Sequence, residues 1–116
     1  MNLIKFAAID IGSNAVRLLI MSINPEKGIE SLNKELLIRV PLRLGKESFD
    51  LGKIPDDKQK QLIRLMKVFK HLLKLYEVTD YRACATAAMR EAKNRNNVIK
   101  EVFKEEAQEL LAQIDI

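Results

Sequence analysis

The sequence predicts an α/β domain built on a mixed five-stranded sheet, its first three strands antiparallel, with two main helices. Three observations predict it. Within the first 44 residues lie three stretches rich in branched apolar residues, separated by turn-forming residues. Farther on, apolar residues twice recur at helical spacing, over 55–76 and again over 98–111. Short apolar segments at 81–87 and 114–116 follow those helices, so strand and helix alternate in the second half.

Residues 6–11, Phe-Ala-Ala-Ile-Asp-Ile, form a short apolar run of the kind buried on both faces of a sheet. Gly12-Ser13-Asn14 is a cluster of turn formers, and residues 16–23 return to strand composition, so the pair predicts a hairpin. A second turn at 25–28 leads into a third strand within 30–44. There Ile38, Val40, Leu42 and Leu44 alternate with Arg39, Pro41 and Arg43, which implies one buried face. Pro41 has no N–H for a ladder and places this strand at a sheet edge. After a loop at 45–52, Pro55-Asp56-Asp57 opens a helix, with Asp56 as the expected cap and Gln59 at the capping-box position. Its buried stripe is Leu62, Leu65, Met66, Phe69, Leu72, Leu73 and Tyr76. The strand at 81–87 consists mostly of small residues. A helical turn at 88–93 and a break at 94–97 precede the second helix, which buries Val98, Ile99, Val102, Phe103, Leu110 and Leu111. Ile114-Asp115-Ile116 reads as the start of a fifth strand.

Three sequential strands most simply make an antiparallel meander, and a right-handed helical crossover then lays the fourth strand parallel to the first. Parallel strands finish at one rim of a sheet, where ligands of such sheets bind. The segments that follow Asp10 and that begin at Thr86 are therefore expected side by side.

A length of 116 residues fits one domain, 1–116, and 47% apolar with 31% charged residues is an ordinary globular composition. The formal charge of +4 mildly favours anionic partners. Nucleic acid is not the expected partner, because only 5% of residues are aromatic, none is Trp, and no recognised binding motif stands out. Cys84 is the only cysteine, which excludes an internal disulfide and suits a reducing, cytoplasmic compartment. Lys5 and Asp10 interrupt the opening apolar stretch, so no signal peptide is expected. No uncharged run approaches the ~18 apolar residues of a membrane span.

Two segments carry candidate chemistry. In Asp10-Ile11-Gly12-Ser13-Asn14-Ala15-Val16-Arg17, a carboxylate ends a buried strand, where it needs a partner, water or a metal. Gly12 to Ala15 can turn successive backbone N–H groups toward an anion, Ser13 and Asn14 add side-chain donors, and Arg17 adds charge. The same spacing equally suits a plain hairpin in which Asp10 bonds neighbouring N–H groups. In the second segment, Ala83 to Ala92, Thr86 can cap a helix start whose free N–H groups attract anions, with Arg90 one turn on. Taken alone, that segment reads more readily as close strand–helix packing with Arg90 on the surface. Lys60, Arg64, Lys67, His71 and Lys74 line one helix face and read as a solvated stripe before they read as a polyanion track. Cys84 reads as a small buried residue rather than a nucleophile.

Together the two segments resemble the exopolyphosphatase/guanosine pentaphosphate phosphohydrolase (Ppx/GppA) family. Its pattern is a strand, an Asp-hydrophobic-Gly-Ser-Asn loop and a strand containing Arg-Leu, then later Ala-Thr-x-Ala-x-Arg-Glu-Ala-x-Asn. Here the second stretch reads Ala85-Thr86-Ala87-Ala88-Met89-Arg90-Glu91-Ala92-Lys93-Asn94. Arg43-Leu44-Gly45 and Gly52-Lys53-Ile54 are similar to the family as well. The resemblance implies a ribonuclease H-like, actin-like ATPase half-domain. It implies an enzyme that removes terminal phosphate from inorganic polyphosphate or guanosine pentaphosphate with water and Mg²⁺. Asp10 would organise the metal or its waters, and Gly12, Ser13, Asn14 and Ala15 would hold phosphate, joined by Thr86. Arg17 and Arg90 would neutralise phosphate charge, Arg90 and Asp10 counting as catalytic.

The family's Ile-Ser-Gly-x-Glu-Glu-Ala motif carries the catalytic glutamate, and the resemblance places it beyond Ile116. Neither that motif nor the family's second, Gly-rich phosphate loop is among these residues. The expectation is an N-terminal portion of the phosphatase domain, inactive alone and self-associating into a homo-oligomer. Two alternatives share fewer features. An actin-like ATP-binding kinase module would share the first loop but not residues 86–94. A non-enzymatic phosphate- or polyphosphate-binding module would need neither motif beyond the chain.

Overall fold

The computed structural model describes residues 3–45 and 54–85, and the backbone of 114–115. Strand β1 (Ile4–Ile11) pairs antiparallel with β2 (Val16–Ile23), and β2 pairs antiparallel with β3 (Asn33–Val40). Helix α1 (Asp56–Leu75) then leads to β4 (Asp80–Ala85), which lies parallel to β1. A two-residue segment, β5 (Ile114–Asp115), pairs parallel with β4 at the far edge, so the order is β3-β2-β1-β4-β5. The expected five-stranded sheet is therefore four full strands with a two-residue pairing in fifth place. Of the expected strand start at 114–116, Ile114 and Asp115 join the ladder, opposite Ala83 and Cys84; Ile116 lies outside the described residues. The second expected helix, over 98–111, lies outside them too.

Strict alternation decides which face of the sheet is covered. Ala7, Ile9 and Ile11 of β1, Val16, Leu18 and Ile20 of β2, and Ala83 and Ala85 of β4 are buried together with Leu62, Met66, Phe69 and Leu73 of α1. Leu65, Leu72 and Tyr76 pack at the margin of this core, so the helical stripe read from the sequence is the packed one. Lys60, Arg64, Lys67, His71 and Lys74 are all exposed, the solvated face of the same helix. Cys84 departs from expectation. It alternates out of phase with Ala83 and Ala85, and is half-buried on the face away from α1.

Two element ends also differ from the sequence reading, for local reasons. β3 stops at Val40 rather than running on to residue 44. Pro41 cannot continue the ladder, Leu42 N–H turns back to the Val40 carbonyl at 3.0 Å, and Arg43 adopts a φ of 56°. Helix α1 begins at Asp56, and Pro55 holds the cap position with no side chain to offer. Gln59 serves the helix start differently, donating through Nε2 to the Ile54 carbonyl at 2.9 Å. Between β2 and β3 the turn is built on Asn24, whose Oδ1 accepts from Glu26 N–H at 3.0 Å while its own N–H donates to Ser31 Oγ at 2.8 Å. Gly28 follows at φ 74°, a conformation that favours glycine.

Candidate functional site

The parallel pairing of β1 and β4 creates the rim on which a site can form. Thr79 anchors the start of β4 to β1, its N–H and its hydroxyl both donating to the Lys5 carbonyl, at 3.1 and 3.2 Å. From there the register runs Phe6 opposite Asp80 through Ile11 opposite Ala85, so both strands end level. Gly12 leaves one strand end and residue 86 leaves the other. The convergence expected from the crossover holds as far as Ala85; Thr86 and Arg90 lie outside the described residues.

Asp10 stands one residue before that rim, half-buried, on the face away from α1. The register places exposed Arg17 directly opposite it on β2 and Cys84 opposite it on β4. Register thus sets a carboxylate and a guanidinium on neighbouring strands at the same level. One strand farther out, Arg39 of β3 faces Arg17. A row of polar residues, Arg39, Arg17, Asp10, Cys84 and, by register, Asp115 of β5, therefore crosses the sheet at one level.

The hairpin tip beside this row is held by its own carbonyls. Gly12 N–H donates to the Ala15 carbonyl at 3.0 Å. The segment after β3 straps across the tip: Arg43 N–H donates to the Asn14 carbonyl at 3.0 Å, and Gly45 N–H to the Ser13 carbonyl at 2.8 Å. In a trans peptide the N–H points opposite to the C=O. With the Ser13 and Asn14 carbonyls turned to the strap, the N–H groups of Asn14 and Ala15 point together to the other side. Among the described residues neither has an acceptor. Two adjacent N–H groups aimed one way form an anion-sized concavity.

That geometry revises the sequence reading in one respect. Gly12 was expected to offer its N–H to phosphate, but the hairpin consumes it. Among the described residues the donors without an acceptor are the N–H groups of exposed Asn14 and buried Ala15. The strap residues Arg43 and Gly45 are not among the sequence candidates, although Pro41, which ends the ladder, and the Arg43-Leu44-Gly45 stretch are the available signal. Arg39 was likewise passed over, because its pairing with Arg17 is set by register.

Among the described residues no three His, Cys, Asp or Glu side chains gather as a metal cage. Among the described side chains Asp10 is the one carboxylate next to the outward-pointing N–H groups of the hairpin tip. This suits Mg²⁺, which keeps most of its waters and takes one or two carboxylates plus substrate phosphate. Among the described residues no helix is long and apolar enough to cross a membrane.

Residues 22–115 match the model of the Ppx/GppA phosphatase family. The chain belongs to that family. A Ppx/GppA member from Aquifex aeolicus is similar at 32% identity with a TM-score of 0.81, over 90% of this chain and 33% of that one. A second Aquifex aeolicus Ppx/GppA structure aligns at 29% identity and a TM-score of 0.80, over 97% and 35%. An exopolyphosphatase from Cytophaga hutchinsonii aligns at 25% identity and a TM-score of 0.78, over 87% and 31%. The chain spans about a third of the length of these Ppx/GppA structures. No curated protein matches it.

Proposed function

We propose that this chain supplies the first phosphate loop of a phosphoanhydride hydrolase that releases terminal phosphate from linear polyphosphate or guanosine pentaphosphate. The observation that carries this reading is the hairpin tip, where the Asn14 and Ala15 N–H groups point one way beside the Asp10–Arg17 pair. The relatives named as exopolyphosphatase or as Ppx/GppA phosphatase support the reaction class. On the same reading the sheet and its crossover helix are the first half of a ribonuclease H-like, actin-like domain, working in the cytoplasm.

In this site the Asn14 and Ala15 N–H groups, helped by the Ser13 and Asn14 side chains, hold the terminal phosphate. Arg17 neutralises its non-bridging oxygens as water attacks in line; the family resemblance gives Thr86 and Arg90 a part in the same work, and both lie outside the described residues. Asp10 would hold Mg²⁺, and the cation would supply charge stabilisation for the leaving oxygen. The glutamate that would activate the water belongs to the motif expected beyond Ile116 and is not among these 116 residues. A polypeptide of this sequence alone is therefore expected to bind phosphate without releasing it from polyphosphate.

Amide-resolved NMR tests the reading. Titration with orthophosphate and Mg²⁺ should shift the Asn14 and Ala15 amides, and Arg17→Gln should weaken binding about tenfold. Asp10→Asn should abolish the Mg²⁺ dependence and leave the fold intact. Shifts confined to the exposed α1 lysines would refute the assignment. So would phosphate release from polyphosphate at rates comparable to the full-length phosphatases.

A further inference from the structure

Arg39 occupies a position that the fold makes awkward for a positive charge. It lies on the edge strand, so its one cross-strand neighbour is Arg17, and both side chains are exposed on the face that carries Asp10. Like charges directly opposite each other on a ladder destabilise it. The nearer acid of this row, Asp10, stands on the far side of Arg17, two strands from Arg39, and register puts Asp115 two strands farther still. The same-face neighbour before Arg39 on its own strand is Leu37. Among the described residues register thus supplies Arg39 with no adjacent counter-charge, and Arg39 is exposed on the edge strand.

We propose that Arg39 and Arg17 together form a second anion subsite, one strand outward from the hairpin tip. This extends the loop reading above and rests on it. A phosphate chain with one end at the Asn14–Ala15 donors would pass over Arg17 and continue across Arg39 to the open sheet edge. Two guanidinium forks on adjacent strands, with Cβ atoms about 5 Å apart, can each take a different phosphate of one chain, and a single phosphate seated at the hairpin tip has Arg17 beside it while Arg39 lies one strand farther out. Arg39 is then a specificity-determining residue: it separates oligomeric phosphate from orthophosphate, with its like-charge cost offset when ligand binds.

The test is calorimetric titration of the whole chain with orthophosphate and with linear tripolyphosphate at low salt. Arg39→Gln should weaken tripolyphosphate about tenfold and leave orthophosphate unchanged. Arg39→Lys, which keeps charge but loses the fork, should restore part of the loss. Arg17→Gln should weaken both ligands. The unfolding midpoint of Arg39→Gln should equal or exceed that of the parent, because a repulsion has been removed. Lys60→Gln, on the exposed face of α1, controls for the loss of one charge. The inference is overturned if Arg39→Gln weakens both ligands equally, weakens neither, or does no more than Lys60→Gln. If Arg39→Gln behaves as expected while the Asn14 and Ala15 amides ignore orthophosphate, the outer subsite stands and the loop reading falls. If the parent binds neither ligand, both fall.

Discussion

Arg43 and Glu77 share a backbone conformation that neither side chain favours, each with a φ of 56°. Left-handed geometry costs a non-glycine residue roughly 1–2 kcal/mol, and each site shows what the strain secures. At Glu77 it ends helix α1. The Glu77 N–H reaches the Lys74 carbonyl at 3.1 Å and Val78 N–H reaches Leu73 at 2.9 Å, the paired closure of a Schellman motif, and Val78 packs against the core. Glu77→Gly is expected to raise stability by about 0.5–1 kcal/mol, the strain relief less glycine's entropy, read as a higher urea midpoint with unchanged slope. At Arg43 the same conformation turns the N–H onto Asn14 and so aims the hairpin tip. Neither position was legible in the sequence, since helix ends and tight turns announce themselves through Gly or Asn and neither residue is present there. Asp10, Ser13, Asn14 and Arg17 stand out in the sequence as candidates because a charge and polar turn formers interrupt apolar strands, and their roles are a proposal. What sequence could not assign was which N–H groups remain free, a matter of where the carbonyls find partners.

At the scale of elements, each one that was read correctly has a period that a single buried face imposes. The stripe of α1 follows from helical spacing, and all of its fully buried members fall on that spacing. Phe69 is the largest side chain in the core at 1% exposure, wedged between α1 and the sheet. Phe69→Ala is expected to cost about 3–5 kcal/mol. Chemical denaturation should show that loss, and a change below about 1 kcal/mol would mean that α1 does not pack on this face. The elements read less well are those whose ends are set by tertiary contacts. β3 was extended through Leu44 because Leu42 and Leu44 keep the alternation, and both do pack inward, but as part of the strap rather than as strand. Asp56 was read as a cap because aspartate usually is one. With Pro55 ahead of it, the chain enters the helix one residue sooner than an aspartate cap would allow.

The whole molecule shows most plainly why a level rim was foreseeable and its charge row was not. One crossover of fixed hand makes β1 and β4 parallel whatever their side chains, so their ends had to coincide. Register between β2 and β3, by contrast, depends on the irregularity between Ile20 and Met21, which no local signal marks. Register also lines up an apolar band on the face away from α1. Ile4, Phe6 and Leu37 there are 47%, 36% and 52% exposed, interleaved with half-buried Leu19, Met21 and Ile23. We propose that such a band would favour sheet-to-sheet association between copies, opposed by a formal charge of +4 on each. Sedimentation should therefore find a mass that rises with protein concentration, and that rises further with salt as the repulsion is screened. Leu37→Lys, at an edge position outside the core, should hold the chain monomeric without lowering its unfolding midpoint. A parent that stays monomeric in high salt at its solubility limit would show that this face does not bind a second copy.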